Sequence, residues 1–211
     1  MHTFTDASGD AYGAVTYVRY QYKGGTVSTS LVASKTRVAP LSATSISRLE
    51  LMGTVLGLRL ALSIAKVLKI DQSLLTFWSD SMNVLWWIRR PSRNFRPFIA
   101  NRVGETHDSS SLSQWRHVST HQNLADLPTR GMSVTEVKGS EMWWEGPTFL
   151  SMPEDTWPKT EIDVTPEATL EVRKKARATF DVPGTEPVLF ALTPQRLGVC
   201  IPADIQAGPD Y

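Results

Sequence analysis

Residues 2–36, HTFTDASGDAYGAVTYVRYQYKGGTVSTSLVASKT, set the architecture. Residues 2–5 alternate in polarity and run into Asp6-Ala7-Ser8-Gly9-Asp10, a cluster of turn formers. Residues 12–22 are rich in β-branched and aromatic types and read as a strand. Lys23-Gly24-Gly25 makes a tight reversal, and residues 26–36 read as the hairpin partner. Three antiparallel strands in a row are expected.

Downstream, the period changes. Pro40 breaks the pattern, and Thr44 or Ser45 can cap a helix. Apolar residues then recur at Leu49, Met52, Leu56 and Leu60, one buried stripe on a helix of about 20 residues. Residues 73–79 read as a short buried strand ending at Asp80, and residues 81–90 as a helix stopped by Pro91. A further helix is expected over 96–107 and a last strand over 115–119. Asn123 to Arg130 reads as a short helix or turn closed by Gly131, and 133–144 as one more short helix. The pattern is α/β: a five-stranded mixed sheet, three antiparallel strands then two parallel-type, flanked by helices on both faces. The domain is expected over 1–150. From 151 to 211 prolines punctuate the chain, residues 167–178 have helical propensity, and a linker or partly disordered extension without its own core is expected.

A length of 211 residues allows one domain plus an extension. The formal net charge is +1, so any surface that attracts nucleic acid must be local. A single cysteine, Cys200, rules out a disulfide within the chain, argues against a cysteine zinc site and fits a reducing compartment. No apolar run is expected to reach the roughly 20 residues that span a bilayer. The start lacks the basic-then-apolar pattern of a signal peptide. Its immediate entry into a strand suggests a piece of a longer protein.

Four acids fall at strand ends and an adjoining helix: Asp6, Glu50, Asp80 and Asp126. In open α/β sheets such places gather into sites. Hydrolysis of a phosphodiester builds negative charge, and two Mg²⁺ ions about 4 Å apart can stabilise it. Mg²⁺ prefers oxygen ligands, which clustered carboxylates supply. Without metal the carboxylates repel, so some pKa values should rise. Each residue also has an ordinary reading: a turn cap for Asp6, an exposed helix charge for Glu50, a helix N-cap for Asp80, a helix-start charge for Asp126.

The local words go further. Thr5-Asp6-Ala7-Ser8, Arg48-Leu49-Glu50-Leu51, Trp78-Ser79-Asp80-Ser81 and Asn123-Leu124-Ala125-Asp126 resemble, in order, the acidic motifs of the ribonuclease H family. Tyr12-Gly13-Ala14-Val15, the run from Asn123 to Gly131, and Trp144-Glu145-Gly146-Pro147-Thr148-Phe149-Leu150 make the chain most similar to the ribonuclease H region of Pao/BEL-type retrotransposon polyproteins, over residues 2–150. The resemblance implies the ribonuclease H-like fold and a metal-dependent endonuclease that cuts the RNA strand of RNA–DNA hybrids. It implies Asp6, Glu50, Asp80 and Asp126 as ligands of two Mg²⁺ ions, with Mn²⁺ as a substitute. It also implies a reverse transcriptase region before this segment, an integrase region after it, and a cytoplasmic, virus-like particle setting. His121 follows Val118-Ser119-Thr120, where many family members place a catalytic histidine, but the loop from His121 to Asp126 is short. His2, His107 and His117 are expected to be structural or solvated, and Asp10 a turn residue.

Arg89, Arg90, Arg93, Arg96 and Arg102 occur with no acid among them, a candidate grip on phosphates. Trp86, Trp87 and Phe98 are expected in the core. Cutting RNA requires reading the 2′-hydroxyl, for which Asn83, Asn123, Ser8 and Ser81 are candidates. Two rivals remain: an integrase- or transposase-like core acting on DNA, and a non-catalytic hybrid-binding module.

Overall fold

The computed structural model describes residues 1–159 and 161–174. Three antiparallel strands open the chain: β1 (His2–Ala7), β2 (Ala11–Gln21) and β3 (Val27–Val38). Ser8 Oγ accepts from the backbone of Asp10 and Ala11 and so shapes the first turn. Gly25, at φ 85°, takes the left-handed conformation that the second reversal needs.

Helix α1 (Ile46–Leu68) follows, with Lys69 ending it in the left-handed region. It is buried more completely than a single stripe would require: every residue from Gly53 to Leu58 is buried. The reason lies in two glycines one turn apart. A Cβ on Gly57 would stand 2.5 Å from Thr5 Cγ2, and one on Gly53 only 2.7 Å from the Asp6 carbonyl oxygen. Their absent side chains let α1 lie directly on β1. By length and mean hydropathy (23 residues, 1.7) α1 is apolar enough to cross a membrane, contrary to the sequence expectation. In the fold, its buried residues pack against the sheet instead.

β4 (Thr76–Ser79) pairs parallel to β1, and β5 (Trp115–His117) parallel to β4. The strand expected from 73 starts later because Asp71 accepts from the Ser73 backbone and winds Gln72–Leu74 into a 3₁₀ turn. Between β4 and β5 lie α2 (Met82–Ile88) and α3 (Pro97–Ser109). After β5 come α4 (Asp126–Arg130), α5 (Val134–Gly139) and α6 (Glu141–Glu145). The last two replace the one helix expected over 133–144, because the Ser140 side chain accepts from the Trp143 backbone and starts a new helix. The sheet order is β3-β2-β1-β4-β5.

The sheet separates two apolar layers. On one face, α1, α2 and α3 enclose Leu51, Leu58, Phe77, Trp87 and Ile99. On the other, Phe4, Tyr17, Trp78, Trp143 and Phe149 pack together, with the Phe4 and Trp78 rings stacked 6.1 Å apart. His2 is buried there as a neutral acceptor from Trp78 Nε1 at 3.3 Å.

Packing does not stop at residue 150. Trp157 closes the aromatic layer, and a last helix, α7 (Pro166–Leu170), covers α2. Ala168 and Val172 are buried, Trp87 Nε1 donates to the Ala168 carbonyl at 3.0 Å, and Phe95 bridges to Val172. Residues 151–159 and 161–174 therefore belong to the packed unit rather than to a linker. The rest of the expected extension, with the end of its helical stretch and Cys200, lies outside the described residues.

Candidate active site

Asp6 sits at the end of β1, Glu50 in the second turn of α1, Asp80 just past β4, and Asp126 at the start of α4. The chain brings these segments to one end of the sheet and joins them through neutral donors. Thr129 Oγ1 donates to Asp6 Oδ2 at 2.9 Å and to the Asp126 carbonyl at 3.0 Å. Ser81 Oγ donates to Glu50 Oε2 at 2.6 Å while capping α2. Asn123 Nδ2 donates to Asp80 Oδ1 at 2.9 Å and to the Thr5 carbonyl at 3.1 Å. The helix cap next to β4 is thus Ser81, not Asp80, whose carboxylate stays with the other acids.

The electrostatics follow from that convergence. Burial pushes the Asp6 carboxyl up to about 6, with the Asp80 charge adding to the rise, the Thr129 hydrogen bond opposing it and the Asp126 charge contributing last. Burial pushes Glu50 up to about 7; the Ser81 hydrogen bond opposes this, and the charges of Asp80, Asp6 and Glu167 add to it. A buried group of like charges is short of positive charge. One cation is at hand: Arg130 Nε binds Asp126 Oδ1 at the i,i+4 spacing. Among the described residues, no three His, Cys, Asp or Glu side chains form a ready metal-binding group. The donor set itself is oxygen-rich carboxylate, the chemistry that hard divalent cations take.

The remaining candidates fall differently. His121 is exposed in the Thr120–Gln122 turn and makes no hydrogen bond or ion pair among the described residues. His117, expected to be structural or solvated, instead lies beside Asp80; burial lowers its pKa, and the Asp80 carboxylate and backbone oppose that. Of the four residues expected to read the hybrid, none projects a free donor. Ser8 Oγ donates to the Thr129 carbonyl at 2.8 Å. Ser81 is spent on Glu50. Asn123 is buried beneath Asp80. Asn83 donates to Ser47 and Glu167 and accepts from Thr165, so its amide ties α1 and α2 to the segment that leads into α7.

The five arginines do not share a face. Arg89 and Arg90 both lie near His107, Arg89 also near Arg116 and His117, and the Arg90 guanidinium stands 3.8 Å above the Trp86 ring. Arg93 and Arg96 are exposed. Arg102 lies 3.6 Å above the Phe98 ring and lines a different groove, with Arg37 and Arg59. Trp86 and Trp87 are in the core as expected, and Phe98 is partly buried against it. Sequence reasoning missed Thr129, Arg130 and Glu167. The Asp126–Arg130 spacing was a signal for the second; nothing in the sequence marked the third.

A five-stranded mixed sheet in the order β3-β2-β1-β4-β5, flanked by helices, is the ribonuclease H-like fold. Residues 1–81 match the model of the family described as Pao retrotransposon-like RNaseH-like domain. No curated protein matches the chain. Among solved structures, ribonuclease H1 from the halophilic archaeon Halobacterium salinarum NRC-1 is similar over 58% of this chain and 87% of its own, at 14% identity and a TM-score of 0.35.

Proposed function

We propose that this domain is a divalent-metal-dependent endonuclease that cuts the RNA strand of RNA–DNA hybrids during reverse transcription of a retroelement. The observation that supports it is that Asp6, Glu50, Asp80 and Asp126 come from four separate segments to one end of the sheet, where the Asp80 charge acts on both Asp6 and Glu50 and the Asp126 charge on Asp6. Two Mg²⁺ ions, or Mn²⁺, held by these four residues would activate water and stabilise the leaving oxygen. The chain's own groups supply orientation. Asn123 fixes the Asp80 carboxylate and Ser81 fixes Glu50. Thr129 sets Asp6 relative to α4. Arg130 neutralises Asp126 and can release it when a stronger cation arrives. Aromatic packing beneath β1 and β4 keeps the platform rigid. His121 could assist proton transfer or product release only by approaching from its exposed turn. Reverse transcriptase and integrase regions as polyprotein neighbours, and a virus-like particle in the cytoplasm, complete the reading.

The test is incubation of the full chain with labelled hybrid, duplex DNA and duplex RNA, in Mg²⁺ or EDTA. Cleavage of the RNA strand of the hybrid alone is expected. EDTA abolishes it, and Asp80→Asn lowers it by more than about 100-fold, beyond the usual loss from a group that only orients a ligand. Cleavage of duplex DNA would assign the domain to integrase-like chemistry. Hybrid binding without cleavage would make it a binding module.

A further inference from the structure

The third strand carries two cations that the function above does not use. Lys35 and Arg37 lie on the exposed half of β3, and their side chains make no hydrogen bond or ion pair among the described residues. Across α1 from them, α3 presents Arg102, fixed over the Phe98 ring and donating to the Phe98 carbonyl at 3.0 Å. Between the two, Arg59 rises from α1 itself. These four cations line one groove of about 430 Å³, whose wall also includes Tyr12 and Asn101. The one acid in it, Glu105, is already held by Arg59 through two bonds, at 2.5 and 2.8 Å. The groove therefore carries an excess of three positive charges in a chain whose formal total is +1.

Position gives this charge a use. The groove's α1 residues, Met52 to Arg59, follow Glu50 on the same helix by two to nine positions. At about 1.5 Å per residue that is a displacement of roughly 3–14 Å. One nucleotide advances about 3.4 Å along a duplex strand, so along the helix axis the groove is offset from Glu50 by roughly one to four nucleotides, and it lies on the flank of α1 turned away from Glu50, beyond the acids rather than among them. Arginines held flat over aromatic rings are pre-organised for phosphate oxygens, and unpaired lysine and arginine release counterions when they meet a backbone.

We infer that the groove bounded by Lys35, Arg37, Arg59 and Arg102 is a second contact for the hybrid, gripping its phosphodiester backbone away from the scissile phosphate. The assignment rests on the hybrid being the substrate, and it puts the grip on β3, α1 and α3 rather than on the arginine run as a whole. Asn101 and Tyr12 add neutral polar atoms at its rim.

The experiment measures binding of the full chain to a fluorescent hybrid two helical turns long, in EDTA, over a salt series. Lys35→Glu/Arg37→Glu should weaken binding by about tenfold or more and lower the slope of log affinity against log salt by about two. Lys35→Ala/Arg37→Ala should give the same direction with a smaller loss. Lys23→Glu/Lys66→Glu, two exposed cations outside the groove, should bind as the parent does. An unchanged slope for the Lys35/Arg37 variants overturns the groove, as does an equal loss in the Lys23/Lys66 control. Loss of polyglutamate binding with hybrid affinity unchanged would overturn it too, assigning the groove to an acidic peptide. Cleavage in Mg²⁺ is scored separately. A parent chain that shows the expected binding pattern but never cuts RNA leaves the groove standing and removes the nuclease assignment. RNA cleavage that is equal in parent and Lys35→Glu/Arg37→Glu at every salt concentration does the reverse.

Discussion

Asp6 and Glu50 are acids whose folded pKa values, about 6 and about 7, lie above their ordinary values of 3.8 and 4.5. Between those limits the folded chain holds protons that the unfolded chain has released, so stability falls as pH rises. What the two groups contribute is fully present below their unfolded values and lost as pH climbs through 6 and 7. For the metal-free chain, the loss from pH 5 to pH 8 is on the order of 3 kcal/mol. His2, depressed by burial, runs in the opposite sense, so the diagnostic quantity is the difference between parent and Asp6→Asn. Asp6→Asn should flatten the decline and unfold at higher urea than the parent at pH 8 in EDTA, while losing nuclease activity. A variant less stable than the parent at pH 8 would contradict the charge repulsion. Asn123 gives a second prediction at this scale. It contacts Asp80 directly and is buried, so Asn123→Ala should lower hybrid cleavage by about 10–100-fold and raise the Mg²⁺ requirement. An unchanged Mg²⁺ titration with weaker hybrid binding would instead return Asn123 to a substrate-reading role.

At the scale of elements, the position of α1 on β1 governs where Glu50 stands relative to Asp6. Gly57→Ala would gain about 1 kcal/mol of helix propensity if the helix were free. Here the new methyl would meet Thr5 Cγ2 and, at 3.1 Å, Ala14 Cβ. Overpacking of this kind costs about 1–3 kcal/mol, so a net loss of stability is expected in urea unfolding. Gly53→Ala should do less to stability than to cleavage, because its methyl would press on the Asp6 carbonyl, the backbone of a carboxylate in the site. If both variants prove more stable than the parent, α1 does not depend on this close contact. The elements themselves were largely legible. β-branched and aromatic alternation gave β1 to β3, and apolar spacing gave α1. The four acids stood out because they fall at strand ends and in an adjoining helix, within words that resemble the acidic motifs of the ribonuclease H family. What was not legible depends on facing partners. Whether Asn83 and Asn123 point out or in is set by α7 and by Thr5, far away in sequence. Five neighbouring arginines read as one patch, yet helix geometry and stacking on Trp86 and Phe98 divide them between faces.

At the scale of the molecule, the described chain closes on itself beyond the point where composition alone would end the domain. Proline punctuation hid this, because short 3₁₀ and helical turns between prolines carry no period to read. Trp157, Ala168 and Val172 are nonetheless buried, and Glu171 pairs with Arg48 two residues before Glu50. Removing them would uncover Trp87 and Phe95 on one face and Trp78 on the other. Burial of one large apolar side chain is worth about 1.5–3 kcal/mol, and part of that offsets the ordering of the segment. A chain ending at residue 150 should therefore be less stable than one ending at residue 174 by at least about 2 kcal/mol in urea unfolding. It should also show a shallower transition, since less surface is buried in its folded state. Its near-ultraviolet circular dichroism should weaken as the tryptophans lose fixed neighbours. Equal stability of the two truncations would show that α7 rests on the domain without contributing to it, and would put the boundary back at residue 150.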